Sequence, residues 1–250
     1  MPSLKTLIQY CDDLLNIKAI EDKSLNGLQV DGPSRITKVA FAVDASTDSI
    51  QAAAAQKAQL LMVHHGLFWG SEHPLTGSLF ERVKACITKE IALYAVHLPL
   101  DLHPVLGNNA QLLKLLELQD AGVFGDYHGI AIGKIGRSTP VSLGTFAGKV
   151  NAQLNTRSFV VAHGPSEIST VGIVSGGGSF ALEEAHDLGI DVLLTGETSH
   201  SAVPVAKELN VNVIFAGHYA TETLGVKALA SHLKRKFKIA TIFVDNPTGL

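Results

Sequence analysis

Short apolar runs rich in Val, Ile, Leu and Ala alternate along the chain with longer stretches in which apolar residues recur every three or four positions. The first kind of run suits a buried strand and the second an amphipathic helix, so the alternation predicts α/β units around largely parallel sheets. Strands are predicted over 38–43, 60–63, 92–96, 171–174, 192–194 and 211–216. Helices are predicted over 3–15, 47–58, 78–89, 108–116, 142–154, 180–188, 201–209 and 222–237. Residues 121–170 fit less well, because several glycines accompany two strand-like runs, 129–135 and 158–162. They read as a connecting or lid-like element between a first lobe over 1–120 and a second over 171–250, all within one integrated domain spanning 1–250.

Sliding the chain against itself by 132 residues superposes two strand–helix–strand units without a gap. Val39-Ala-Phe-Ala-Val-Asp-Ala-Ser falls on Val171-Gly-Ile-Val-Ser-Gly-Gly-Gly, and Leu61-Met-Val-His64-His65 falls on Leu193-Leu-Thr-Gly196-Glu197. Each half then offers an apolar strand ending in His with an acid four residues later: His97-Leu-Pro-Leu-Asp101 and His218-Tyr-Ala-Thr-Glu222. The echo predicts two related lobes, joined by a pseudo-twofold that sets equivalent strand ends opposite one another across a cleft. Identity between the halves is low, so chance agreement of two α/β units is the competing explanation.

At 250 residues, 46% hydrophobic and 17% charged, the chain is long enough to bury a sizeable core, which excludes a disordered chain. Its 20 basic and 23 acidic side chains leave a formal net charge of -3, without the basic footprint of a duplex-binding protein, so no stable nucleic-acid complex is expected. A small anionic substrate is compatible with that balance. Cys11 and Cys86 are too few for a disulfide framework and lack C-x-x-C spacing, which suits a reducing compartment. Asp12 and Asp13 interrupt the first apolar stretch, unlike a signal peptide, and no apolar run approaches the roughly 20 residues that span a bilayer. A cytoplasmic protein with no membrane partner is expected.

His64 and His65 end an apolar strand and precede Gly66, where parallel α/β sheets place ligands. Adjacent strand residues point to opposite faces. The two imidazoles therefore serve one centre if the chain turns, as Gly66 permits, or serve two neighbouring ions; the plainer alternative is one buried and one exposed His. His97 with Asp101 and His218 with Glu222 repeat imidazole-plus-carboxylate chemistry, which suits zinc, manganese, iron or nickel. Pro99 excludes an ordinary helix interior for the first pair, and Glu222 is expected in a helix's first turn, where the dipole alone would favour it. This set exceeds the four ligands of a structural zinc, so two ions are the more economical reading. Gly176-Gly177-Gly178-Ser179 is either an anion-binding turn or a tight turn without a ligand, since it matches neither nucleotide-loop spacing. Glu197 and His200 either line the cleft, orient a metal-bound imidazole or are solvated.

Asn26-Gly-Leu-Gln29, Val63-His-His-Gly66, His97-Leu-Pro-Leu-Asp101, Leu106-Gly-Asn-Asn-Ala110, Ser175-Gly-Gly-Gly178, Thr195-Gly-Glu197 and Gly217-His-Tyr-Ala-Thr-Glu222, taken in order, resemble the YbgI-type, NIF-three-like dinuclear metal-centre family. The match runs through essentially the whole chain, in the short form without an inserted extra domain. The resemblance implies a two-metal site between two related α/β lobes, and a toroidal homohexamer. Carried onto this sequence, the implied metal ligands are His64, His65, Asp101, His218 and Glu222. Glu222 would bridge the ions, with His65 and Asp101 on one and His64 and His218 on the other. His97 becomes a candidate proton carrier beside two divalent metal ions per chain.

Members of this family are often labelled GTP cyclohydrolase type 2-like, so the resemblance implies a dinuclear-metal-dependent hydrolase acting on GTP or on other nucleotides, damaged ones among them. The implied chemistry is attack at purine C8 with opening of the imidazole ring. The alternative class is a non-catalytic metal-binding scaffold or a metal-trafficking and interaction protein. A third is a site that only stabilises the fold.

Overall fold

The computed structural model describes residues 1–71 and 73–250. They form two compact units, Met1–Leu106 with Gly225–Asn246, and Gly107–Leu224 with Pro247–Leu250. The first unit opens with α1 (Leu4–Leu15), β1 (Gly27–Val30), β2 (Lys38–Asp44), α2 (Thr47–Ala55), β3 (Leu60–His65), α3 (Gly77–Thr88), β4 (Ala92–Ala95) and the one-turn α4 (Leu98–Asp101). The second comprises α5 (Asn108–Leu115), β5 (Gln119–Tyr127), β6 (Ile130–Ser142), α6 (Leu143–Leu154), β7 (Phe159–Val161) and β8 (Glu167–Val174). A 3₁₀ turn (Ser179–Ala181), α7 (Leu182–Asp187), β9 (Val192–Thr195), α8 (Ala202–Leu209) and β10 (Asn212–Phe215) complete its repeat. The long α9 (His218–Phe237) begins in the second unit and supplies the first from Gly225 onward, followed there by β11 (Ala240–Phe243).

In the first unit the strand order is β1-β4-β3-β2-β11, parallel throughout except for β1. Burial on both faces explains the continuous apolar runs of its central strands. Ala40, Ala42, Leu61, Val63, Leu93 and Ala95 pack in one core with Ile50 and Ala53 of α2 and Cys86 of α3. In the second unit the order is β5-β6-β8-β9-β10-β7. There Val171, Ile173, Val192, Leu194 and Ile214 share a core with Phe146 and Val150 of α6 and Leu112 and Leu113 of α5.

The second sheet departs from the largely parallel expectation. Only β8, β9 and β10 run parallel, while β5 with β6, β6 with β8, and β7 with β10 are antiparallel. The first of these pairs is a hairpin: His128 and Gly129 both take positive φ, 54° and 85°, the backbone that lets a two-residue turn match the twist of β5 and β6. The structure also draws the lobe boundaries elsewhere. The stretch 121–170 supplies most of β5 and all of β6, α6 and β7, and residues 225–246 join the first unit. No helix among the described residues is long and apolar enough to cross a membrane.

The internal echo extends further than the gapless comparison reached. Both units run helix, antiparallel edge strand, then three parallel strands joined by two helices: α1 to β4 in one, α6 to β10 in the other. Each begins with a 12-residue helix, N-capped by a serine hydroxyl (Ser3, Ser142) and ended by a left-handed asparagine (Asn16, Asn155). Serine caps satisfy an orphan amide, and asparagine tolerates the left-handed exit.

Candidate metal centre

In the first unit, β3 and the β4–α4 junction gather three histidines. The ligand-capable nitrogens of His64, His65 and His97 lie within 4.8 Å of one another. The His64 and His65 ring centroids are 4.7 Å apart, although strand alternation would separate them; β3 ends at His65. Gly66 contributes space rather than a left-handed turn. A Cβ there would collide with the Gln29 side chain and with Ala95, and Gln29 Oε1 accepts the Leu67 amide at 2.7 Å.

Each imidazole is oriented through Nδ1. His64, fully buried, donates from Nδ1 to the Val96 carbonyl at 3.0 Å, and its Nε2 is 3.4 Å from Asp101 Oδ2. His65 Nδ1 is 2.8 Å from Asp44 Oδ1, a contact set by sheet register, because Asp44 of β2 is the Cα partner of His65. His97 Nδ1 is 3.0 and 3.2 Å from the two oxygens of Asp22. That carboxylate also accepts the backbone amides of Ser24 and Leu98 and the side-chain amide of Asn26. Burial would raise the Asp22 pKa, but hydrogen bonds from His97, Asn26 and Ser24 outweigh it and hold the group down at about 2. Pro99 sits in the first turn of α4, where its missing N–H costs no helical hydrogen bond.

In the second unit, β10 leads through Gly217 into α9, whose first residue is His218. The helix thus starts four residues before the predicted position, and Glu222 lies beyond the first turn, where the dipole effect has faded. His218 Nδ1 is 2.9 Å from Glu197 Oε2, and its Nε2 is 3.1 Å from Glu222 Oε2. The hydrogen bond that Glu222 accepts from His218 holds the His218 pKa up at about 9 against burial, with Glu197 adding to the effect. Glu222 itself is buried, with 4% of its side chain exposed. Its space comes from the glycine turn: Gly176 has φ +65°, and a Cβ there would run into Glu222 Oε1. The Gly176 carbonyl accepts the amides of Gly196 and Glu197, and Thr221 Oγ1 accepts the Gly176 amide at 3.1 Å. The segment thus forms a tight turn, and that turn makes room for a carboxylate.

Of the six residues singled out from the sequence, His64 and His65 end β3, His97 and His218 stand two and three residues after β4 and β10, and Asp101 and Glu222 lie in the helices that come next. His64, His65, His97 and Asp101 belong to the first unit, and His218 and Glu222 to the second. Asp22 and Asp44 escaped sequence reasoning. Glu197 takes the orienting role considered for it, while His200 lies exposed in the loop after β9.

The donor chemistry fits a divalent metal. Metal-binding histidines nearly always donate the second ring N–H to a carboxylate or backbone carbonyl, which fixes the tautomer. Four imidazoles here show that arrangement. These histidine and glutamate groups can hold a metal ion.

Fold and donor set together define an α/β protein of two repeated units with side chains able to hold a metal near its strand ends. The family model for Duf34/NIF3 (NGG1p interacting factor 3) matches residues 2–248, and the chain belongs to that family. A Pyrococcus horikoshii protein called "GTP cyclohydrolase 1 type 2 homolog" is 49% identical over 98% of both chains. A Deinococcus radiodurans protein of the same name is 44% identical over 98% of this chain and 93% of its own. Among solved structures, the protein ybgI, described as of unknown function, superposes with a TM-score of 0.94 at 33% identity, covering 99% of this chain and all of that one. TTHA1606 from Thermus thermophilus gives 0.91 at 38% identity, again covering 99% of this chain and all of its own.

Proposed function

We propose that this protein is a hydrolase dependent on two divalent metal ions and acting on a nucleotide, in line with the GTP cyclohydrolase names of its relatives. The observation that carries the reading is the common pose of the imidazoles, each anchored through Nδ1 so that Nε2 is the ligand atom. His64, His65 and Asp101 of the first unit and His218 and Glu222 of the second would supply the metal ligands. Bound divalent ions supply acidity to water and a Lewis-acid contact to the bond under attack.

The residues of the chain do the rest. Asp22 fixes His97 through Nδ1, so His97 Nε2 takes and returns the proton, as a general base held by a buried carboxylate does. Gly176 keeps the space that lets the Glu222 carboxylate lie over the turn. Imidazole and carboxylate donors accept several divalent ions, so zinc, manganese, iron and nickel all fit the set.

Elemental mass spectrometry of the untagged protein, paired with assays of GTP and a nucleotide panel, tests the reading. We expect about two metals per chain. Glu222→Ala should lose most of them, and His97→Ala should keep them while turnover falls by about 10²–10⁴-fold. Metal-loaded protein with no turnover on any nucleotide would favour the scaffold or trafficking class. Absence of bound metal after reconstitution with each of the four ions would overturn the reading.

A further inference from the structure

Beside the His97–Asp22 pair, within the first unit, lies a cavity of about 310 Å³ walled by Asp22, Lys23, Ser24, Leu25, Phe68 and Trp69. That volume is at the lower end of the range for small-molecule sites. Its two walls are tied to each other: Leu25 donates to the Phe68 carbonyl at 3.0 Å, Gly70 donates to the Lys23 carbonyl at 2.6 Å, and Ser24 bridges Trp69. The indole is pinned in turn, Trp69 Nε1 donating to the Gly66 carbonyl at 3.0 Å. The cavity is thus built in advance of any ligand.

Two features indicate what it takes. Trp69 and Phe68 give the wall aromatic surface, and Trp69 is also packed edge-on to His97, with ring centroids 5.0 Å apart. Ser24 is 4% exposed, and its hydroxyl has no hydrogen-bond partner among the described residues. Buried hydroxyls are nearly always satisfied, so this one, sealed from solvent within a residue of the cavity wall, can pair with a polar ligand atom once its side chain turns toward the cavity. Aromatic wall and polar acceptor together suit a flat heterocycle with hydrogen-bonding edges.

We propose that this cavity seats the heteroaromatic base of the substrate, packed on Trp69, with the Ser24 hydroxyl engaging a polar edge atom of that base. The assignment rests on the nucleotide reading above and gives it a recognition element beside the proton carrier. No residue of the cavity walls named here, Asp22 aside, belongs to the metal or proton machinery.

Trp69 is the only tryptophan in the chain, so its fluorescence reports this cavity alone. The experiment titrates metal-free and metal-loaded protein with guanosine, adenosine and ribose 5-phosphate. Saturable quenching by a nucleoside in both forms, with none from ribose 5-phosphate, is expected. By calorimetry, Trp69→Ala should weaken nucleoside binding by about tenfold to a hundredfold, with Trp69→Phe within about threefold of wild type. Ser24→Ala should cost about fivefold. Unchanged emission with both nucleosides, or Trp69→Ala binding like wild type, overturns the proposal. Because nucleoside binding needs no metal, the two readings fail separately. Quenching without turnover keeps the base site and removes the hydrolase, whereas metal-dependent turnover of GTP with a silent Trp69 removes the base site alone.

Discussion

The two units share one chain path, α1 to β4 in the first and α6 to β10 in the second, yet equivalent positions do different work. Asp44, at the end of β2, falls on Gly176 after β8, and His65 falls on Glu197. In the first unit the end of β2 carries a carboxylate that orients the imidazole on the neighbouring strand, Asp44 to His65. In the second unit the same relationship has moved one strand along, from Glu197 after β9 to His218 after β10. The vacated position is a glycine, and its empty space admits Glu222. Parallel neighbours bring consecutive strand ends side by side, so any adjacent pair can form a carboxylate–imidazole couple. A repeated scaffold therefore fixes where such couples stand, and the sequence of each copy decides which strand supplies which partner.

The sharpest way to break that comparison is to give the second unit a side chain at the place where the first unit has one. Gly176→Ala forces a Cβ into a backbone with φ +65° and against Glu222 Oε1. Left-handed strain and overpacking together should cost roughly 2–4 kcal/mol. Calorimetric melting should show Tm lower by roughly 5–15 °C, and elemental analysis should show metal lost. A variant melting like wild type with full metal content would mean that Gly176 is not holding space for Glu222.

Much of this arrangement was legible in the sequence because strand ends announce themselves. The apolar runs stop at His65, before His97 and before His218, so burial pattern alone put the donors where α/β sheets bind ligands. What escaped was irregular or displaced. Asp22 lies in a segment without periodicity, and its partner His97 is distant in sequence, so no local spacing could connect them. Asp44 reaches His65 through sheet register, which only pairing reveals. The likeness of α1 and α6 stands at an offset of 139 residues against 132 for the strands, and a comparison without gaps cannot see both. β5 reads as polar and glycine-rich because it is an exposed edge strand, with one face lacking any core to match.

Asp22 has no counterpart in this comparison, and a smaller effect is expected from removing its charge. Four donors converge on its carboxylate, from Ser24, Asn26, Leu98 and His97, and an amide can accept at only one of the two oxygens. Its pKa is depressed in the folded protein from 3.8 to about 2. A depressed carboxylate stabilises the fold above its unfolded pKa and loses that contribution as pH falls through the folded one. Wild type should therefore exceed Asp22→Asn by about 2 kcal/mol near pH 6, and the gap should close between about pH 4 and pH 2. Urea denaturation of the metal-free proteins at pH 6 and at pH 3 measures it. An equal gap at both values would show that the carboxylate's charge is not what the surrounding donors hold.

The smallest effects should come from the two orienting couples, and their ratio sharpens the comparison most. Asp44→Asn and Glu197→Gln each keep a hydrogen-bond acceptor but remove the charge that fixes an imidazole tautomer, a change that typically weakens metal affinity about tenfold to a hundredfold. Both carboxylates are partly solvated, Asp44 35% and Glu197 52% exposed, so the low end of that range applies and Glu197 should matter less. For His218 there is an opposing benefit. Glu197 and Glu222 hold it protonated up to about pH 9 without metal, and a metal must displace that proton. Loading at this histidine should therefore weaken as pH falls below about 9, and Glu197→Gln should flatten that dependence while Asp44→Asn leaves it alone. Isothermal titration with zinc across pH 6.5 to 9 separates the two; identical pH profiles for both variants would show that the two couples are not shifted versions of one device.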